Sequence, residues 1–152
     1  MSRATVSRAR RRLILGGAGL WVLTVRPASA TPESMAEAIR ALTGGREVVE
    51  GGVTLELPRI ADNGNVVPLT VKVASAQTEE DHVRSIHVFS EQNPVAAVVQ
   101  MFLGAHYPKP EVSTRIRLAK TQRVIAIAEM QDGRFRAGAM QVEVTISACG
   151  DE

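Results

Sequence analysis

The chain has 152 residues, with 18 basic residues, 16 acidic residues and one cysteine. Aromatic residues make up only 3% of it, and its formal net charge is +2. The sequence contains no basic patch with interleaved aromatic residues, so we expect no nucleic acid among its partners. A single cysteine cannot form an internal disulfide, and in an oxidising compartment it either pairs between chains or is kept for chemistry.

Residues 1–30 have the order of an export signal, with a basic start, an apolar run and small residues. This segment contains six arginines and no acidic residue. The apolar run at 13–25 is shorter than the roughly 20 residues of a membrane span, and Ala28-Ser29-Ala30 then offers a cleavage site. Arg10 and Arg11 directly before the apolar run are typical of the twin-arginine type. An ordinary Sec signal is the alternative, and either route predicts a periplasmic protein without a membrane anchor.

Removal of residues 1–30 changes the charge of the chain. Residues 31–152 keep 12 basic residues against all 16 acidic ones, a formal charge of −4. The high pI of the whole sequence therefore describes the signal. The remaining 122 residues are enough for one domain with its own core.

The first element predicted after the signal is a short helix. Thr31 is a suitable N-cap, Pro32 suits the first helical position, and Glu33 favours the positive end of the helix dipole. The apolar residues at helical spacing are Met35, Ile39 and Leu42. Gly44-Gly45 predicts the end of the helix.

The rest of the chain predicts β-strands. Strand-like segments fall at 53–57, 66–74, 83–89, 95–103, 114–118, 122–129 and 135–146. Segment 95–103 is nearly all apolar, which predicts a strand buried on both faces, either between two sheets or against another subunit. Asp132-Gly133 predicts a hairpin turn before the last strand. We therefore predict an all-β fold, an antiparallel β-sandwich of residues 31–146 with a short N-terminal helix.

The last six residues, 147–152, read Ser-Ala-Cys-Gly-Asp-Glu and contain no large apolar residue. We predict that they form a flexible, solvent-exposed arm carrying Cys149. Lone cysteines are often small buried hydrophobes, but small and acidic neighbours close to the chain end favour a functional thiol.

Other kinds of site have less support. Methionines and histidines could suit copper, but no pair has a recognised ligand spacing: Met101, Met130, Met140, His82, His87 and His106. We interpret them as core methionines and surface histidines. Ser85 lies near His82 and His87 in sequence, but no glycine elbow accompanies it. We therefore predict no catalytic residues, no metal site and no cofactor.

Several separated blocks of the sequence occur in an order that resembles the SoxY family. They are IADNGNVVP at 60–68, SIHVF at 85–89 followed by Asn93-Pro94, STRIRLA at 113–119, and VEVTI at 142–146 followed by Cys149-Gly150. The resemblance covers about residues 35–150. SoxY is the sulfur-carrier subunit of the periplasmic thiosulfate-oxidising system.

The resemblance implies an immunoglobulin-like sandwich, a twin-arginine signal and a heterodimer with a SoxZ-like β-sandwich subunit. It also implies that Cys149 carries the substrate covalently and that the chain is not itself an enzyme. Thiosulfate would be joined to the thiol by a c-type cytochrome pair. A hydrolase would then release sulfate and, in some systems, a sulfane dehydrogenase would process the remaining sulfur.

The arm departs from the family pattern. The family has Gly-Gly-Cys-Gly-Gly, whereas this chain has Ser147-Ala148-Cys149-Gly150-Asp151-Glu152. Glycines let an arm bend freely and pass through narrow clefts, and Asp151, Glu152 and the terminal carboxylate would repel an anionic cargo. Two alternatives to the carrier therefore stay open. Cys149 could form an interchain disulfide in an interaction module, or the chain could be a divergent paralogue serving another sulfur pathway.

Overall fold

The computed structural model describes residues 30–147. One helix and nine strands lie in this range, and they are numbered in chain order. They are α1 (Pro32–Thr43), β1 (Val48–Glu50), β2 (Val53–Glu56), β3 (Ile60–Ala61), β4 (Val67–Val73), β5 (Val83–Ser90), β6 (Ala97–Phe102), β7 (Glu111–Ile116), β8 (Gln122–Met130) and β9 (Phe135–Val144). Among the helices of this part of the chain, none has both the length and the apolar character that crossing a membrane requires.

Two sheets face each other, as the alternating strands predict. The larger sheet has the order β1-β9-β8-β5-β6, with β3 also paired to β9, and the smaller has the order β2-β4-β7. Most neighbours are antiparallel, but β1 and β3 pair in parallel with the two ends of β9. β1 and β3 were not predicted, because strands of three and two residues are too short to show an alternation.

Two apolar clusters hold the fold together. The first lies between the sheets, where Leu69 of β4 packs in one cluster with Val88 of β5 and Val124 of β8. The second lies on the outer face of the large sheet, where Met35 of α1 meets Phe89 and Phe135. The large sheet is therefore covered on one face by the small sheet and over part of the other face by the helix.

The start and end of α1 confirm the caps expected from the sequence. The Ser34 amide donates to Thr31 Oγ1 at 3.2 Å, and the Thr31 amide donates to Ser34 Oγ at 2.8 Å. This capping box satisfies amides that the first turn leaves unpaired. Gly44 ends the helix with a φ of +61°, a backbone conformation that glycine adopts without strain.

The predicted hairpin between the last two strands is present. The Gly133 amide donates to the Met130 carbonyl at 2.9 Å, and the Met130 amide donates to the Arg134 carbonyl at 2.9 Å. Gly133 has a φ of +81°, which the turn requires and which side chains with a Cβ rarely adopt.

The expectation that segment 95–103 is buried between the two sheets of this chain was wrong, whereas its burial against another subunit stays a prediction. Its strand, β6, forms one edge of the large sheet rather than its middle. Val99 and Met101 are half-buried and pack against the core, whereas Phe102 is 76% exposed. A continuous apolar run indicates that both faces of a strand are buried, but the residues that bury them can belong to this chain or to another protein.

Candidate functional site: the root of the C-terminal arm

Cys149, the predicted site of chemistry, lies outside the residues that the structure describes, as do residues 1–29. Residues 145–147, which we call the arm root, lead from the last strand to Cys149 and are described by the structure. β9 ends at Val144, and the next three residues stay bound to the sandwich. The Thr145 amide donates to the Ala61 carbonyl at 3.0 Å, and the Ile146 carbonyl accepts from the Gly64 amide at 2.8 Å.

Ser147 is the last residue before the undescribed end, and it also contacts the sandwich. Its hydroxyl donates to the carbonyl of Ala119, in the loop between β7 and β8. Thr121 in the same loop accepts the Val144 amide at 2.9 Å. The position of this loop therefore determines where the arm leaves the sandwich.

The loop is held in turn by the buried side chain of Asn93. Its Nδ2 donates to the Arg117 carbonyl at 2.8 Å, and its Oδ1 accepts the Ala119 amide at 2.9 Å. Oδ1 also accepts from Gln122 Nε2 at 3.0 Å. The backbone carbonyl of Asn93 accepts the Ala30 amide at 2.7 Å, so the same residue also fixes the chain entering α1.

Gln122 completes this network. It is 1% exposed, and its Oε1 accepts the Gln92 amide at 2.8 Å. Buried amide side chains are stable only when their donors and acceptors are paired, and here both ends of Gln122 are paired. Asn93 was noted in the sequence only within a shared block, and no role was predicted for Asn93 or Gln122. Burial of a polar side chain leaves no periodic pattern that would have revealed either residue.

The interpretation of His87 as a surface histidine was wrong. His87 is 9% exposed and lies on the outer face of β5, beside Phe89. Its Nε2 is 2.9 Å from Ser85 Oγ, and that hydroxyl is 3.1 Å from Glu129 Oε2. The histidine faces the helix side of the sheet, which the alternation in β5 could not distinguish from solvent.

The Ser85, His87 and Glu129 side chains are not arranged as a nucleophile with its base. The Glu129 carboxylate only accepts hydrogen bonds, so the single Ser85 proton is donated to Glu129. His87 Nε2 must then carry a proton and donate to Ser85. A base that activates a serine has to accept the serine proton. The cluster therefore has the hydrogen bonding of a structural network.

Burial lowers the pKa of His87 below its ordinary value, and the negative charge of Glu129 partly opposes this shift. Glu129 itself lies 3.4 Å from Arg84 Nη1. The neutral imidazole is thus the form that suits the folded protein.

The other metal-ligating candidates are dispersed. Met130 is buried in the core, and His106 is exposed on the loop after β6. Within residues 30–147, no three His, Cys, Asp or Glu side chains come close enough together to hold a metal ion.

The fold and the arm root define a small β-sandwich protein with a lone cysteine just beyond its last strand. The chain belongs to the SoxY family, since the family model described as "Sulfur oxidation protein SoxY" matches residues 39–149. It is therefore a sulfur-oxidation carrier protein, and the resemblance in its sequence blocks is confirmed. A comparison with curated protein sequences found no significant match.

Solved structures of similar fold include superoxide reductases. The neelaredoxin from Ignicoccus hospitalis is 18% identical, with a TM-score of 0.56 over 76% of this chain and 94% of that chain. A putative superoxide reductase from Thermotoga maritima is 21% identical, with a TM-score of 0.54 over 64% and 87%. At these identities the likeness shows the fold alone, and it confirms the immunoglobulin-like sandwich.

We expect Asn93→Ala to lower the free energy of unfolding by about 3 kcal/mol, because a buried group left without its partner costs roughly 1–3 kcal/mol and this substitution leaves two, the Ala119 amide and Gln122 Nε2. Urea denaturation measures the change, and hydrogen exchange at the Ala119 amide locates it. Asn65→Ala is the control, since Asn65 is exposed. Equal stability of the two variants would contradict the role assigned to Asn93.

The free energy of unfolding should also depend on pH through His87. Its folded pKa is lowered below the ordinary 6.5, so the unfolded chain takes up this proton more readily. Stability contributed by the neutral imidazole is therefore present above about pH 6.5 and decreases as the pH falls below it. His87→Gln keeps a donor for Ser85 and should flatten the fall between pH 8 and 5.

The matched control for this pH measurement is His106→Gln, at an exposed position. Its unfolding free energy should follow the same pH dependence as the unsubstituted protein. Identical slopes for all three proteins would show that His87 does not titrate differently on folding.

Proposed function

We propose that Cys149 holds sulfur intermediates covalently while partner enzymes act on them. The observation that carries this proposal is the extent of the family match, which runs to residue 149 and so includes the only cysteine of the chain as its last position. The arm root supports it. Ser147, two residues before the thiol in the sequence, is bound to the sandwich.

In the proposed loading step, the sulfane sulfur of thiosulfate forms a bond to the sulfur of Cys149. The thiol loses its proton, and two electrons pass to a c-type cytochrome of the same system. The product is a cysteine S-thiosulfonate with one negative charge. Hydrolysis of its terminal sulfur–sulfur bond with one water then releases sulfate and leaves a persulfide on Cys149.

The sandwich would serve this chemistry as a non-catalytic support. The Ser85–His87–Glu129 cluster is connected for structural hydrogen bonding, as its distances and proton count indicate. No cofactor is needed in this role, because the electrons leave through the partner cytochrome.

Export through the twin-arginine route to the periplasm is part of the proposal. It is supported by Arg10 and Arg11, which directly precede the apolar run at 13–25. Thr31, the first residue after the predicted cleavage site, is already the N-cap of α1.

The proposed partners are a SoxZ-like β-sandwich subunit in a heterodimer, a c-type cytochrome, a sulfate-releasing hydrolase and, in some systems, a sulfane dehydrogenase. The exposed apolar residues at the β6 edge support a protein partner. An interaction module with an interchain disulfide at Cys149, or a paralogue carrying another sulfur species, remains the alternative function.

Protein isolated from the periplasm of thiosulfate-grown cells should carry a sulfur adduct on Cys149. Intact mass spectrometry should show an added mass that a reductant removes, and Cys149→Ser should show none. Both core clusters are built from residues 30–144, so this substitution should change the free energy of unfolding by less than about 0.5 kcal/mol.

Ala148→Ser serves as the matched control, because it makes a similarly small change one residue away and should keep the adduct. A chain that is found only as a reducible disulfide with a second polypeptide, and never with added sulfur, would replace the carrier with the interaction module. An adduct whose mass differs from that of a thiosulfonate or a persulfide would identify the chain as a paralogue that carries another sulfur species.

The exported protein should begin at Thr31, which N-terminal sequencing determines. Replacement of both Arg10 and Arg11 by lysine should abolish export, since the twin-arginine machinery recognises the arginine pair. The fraction of the chain in the periplasm measures this effect, and Arg3→Lys is the control. Export that persists in the double variant would favour the Sec route.

A further inference from the structure

Strand β6 forms an open edge of the large sheet. The sheet ends at β6, and no described strand pairs with its outer side. Its sequence, Ala-Val-Val-Gln-Met-Phe, contains no charged residue and no proline. Proteins usually protect an edge strand with charge, proline or a covering segment, because unpaired amides and carbonyls recruit other strands.

The backbone groups that point outward can be assigned from the ladder with β5. The Leu103 amide donates to the Arg84 carbonyl at 2.9 Å, and Met101 and Val99 lie opposite Ile86 and Val88. Because hydrogen-bonded positions alternate in an antiparallel pair, the residues between them direct their amides and carbonyls away from β5. Gln100 and Phe102 therefore present unpaired backbone groups at the edge.

Apolar side chains accompany these groups. Phe102 is 76% exposed and Val95, just before the strand, is 68% exposed. By comparison, the β2 edge of the small sheet ends in Glu56, which forms an ion pair with Lys72 at 2.6 Å. The β6 edge has the low charge and high β-propensity of a segment that associates with another strand.

A groove beside this edge favours a partner that carries negative charge. It encloses about 380 Å³ between β6 and β7, and Val95, Val98, Arg115 and Arg117 are among its lining residues. Within residues 30–147, neither arginine forms an ion pair. Guanidinium groups bind carboxylates in a planar, two-pronged geometry, so an occupant with acidic side chains would complement the groove.

We propose that the partner subunit adds an extended edge strand to β6 and places carboxylates against Arg115 and Arg117. This inference rests on the proposed function, which includes the heterodimer, and it specifies the surface of this chain that the partner subunit binds. A second copy of this chain fits less well, because residues 97–102 have no carboxylate to offer the two arginines.

The surface is continuous with the arm root. Asn93 lines the groove and also holds the Arg117 carbonyl and the Ala119 amide. Ala119 in turn accepts the Ser147 hydroxyl. A strand bound at β6 therefore ends close to the point where the arm leaves the sandwich, so the partner contributes to the surroundings of the carried sulfur.

The test is binding of the SoxZ-family subunit from the same organism to the exported chain, measured by isothermal titration calorimetry. Gln100→Pro removes an outward amide without removing a bond to β5, so binding should weaken by at least about tenfold. Gln100→Ala keeps the amide and should bind as the unsubstituted chain does. Phe102→Asp changes an exposed side chain and should also weaken binding by about tenfold.

The contribution of Arg115 and Arg117 is tested with charge-reversal variants. Arg115→Glu combined with Arg117→Glu should weaken binding at low salt, and the effect should shrink at high salt. Arg40→Glu, on the exposed side of α1, is the charge-matched control and should have little effect. Hydrogen exchange should slow at the Gln100 and Phe102 amides when the complex forms.

Equal binding by Gln100→Pro and Gln100→Ala, or protection at other amides, would overturn this surface. Absence of any complex would overturn both the surface and the proposed heterodimer, and self-association lost in Gln100→Pro would assign the edge to a second copy. The carrier role is tested independently of this surface, by the mass of the adduct on Cys149. A normal adduct with an unaffected complex in Gln100→Pro therefore rejects the surface alone.

Discussion

The amide side chain of Asn93 is the contact that fixes the loop to which the root of the C-terminal arm is bound. Its two polar atoms pair with the Arg117 carbonyl, the Ala119 amide and Gln122, and its backbone carbonyl pairs with Ala30. A buried amide can satisfy a donor and an acceptor at once, which no apolar side chain of the same size can do. The loop before β8 also contains Leu118, which is fully buried in the cluster between the sheets, so the polar network and apolar packing fix this loop together.

The coverage of the large sheet explains where the protein remains open. The small sheet covers its inner face, and α1 covers part of its outer face through Met35, Phe89 and Phe135. At the opposite side of the sheet, β1 and β3 pair with β9. No described segment covers β6 in this way, so the described sandwich leaves an apolar edge and the groove beside it open.

Local patterns predicted the local structure well. The caps of α1 depend on Thr31, Ser34 and Gly44, which are close in sequence, and the hairpin at Gly133 depends on one turn. The longer strands were found because alternation over many residues is itself a consequence of having one buried face. Each of these features is decided by residues within a few positions of one another.

The predictions that failed concern contacts between residues that are distant in the sequence or belong to another protein. The apolar run of β6 showed that water is unfavourable on its faces, but not whether the cover is this chain or another protein. His87 alternates as a surface residue would, yet Ser85 and Glu129 complete its surroundings from the same face of the sheet. Asn93 had no pattern at all, because its partners lie 24 to 29 positions away in the sequence.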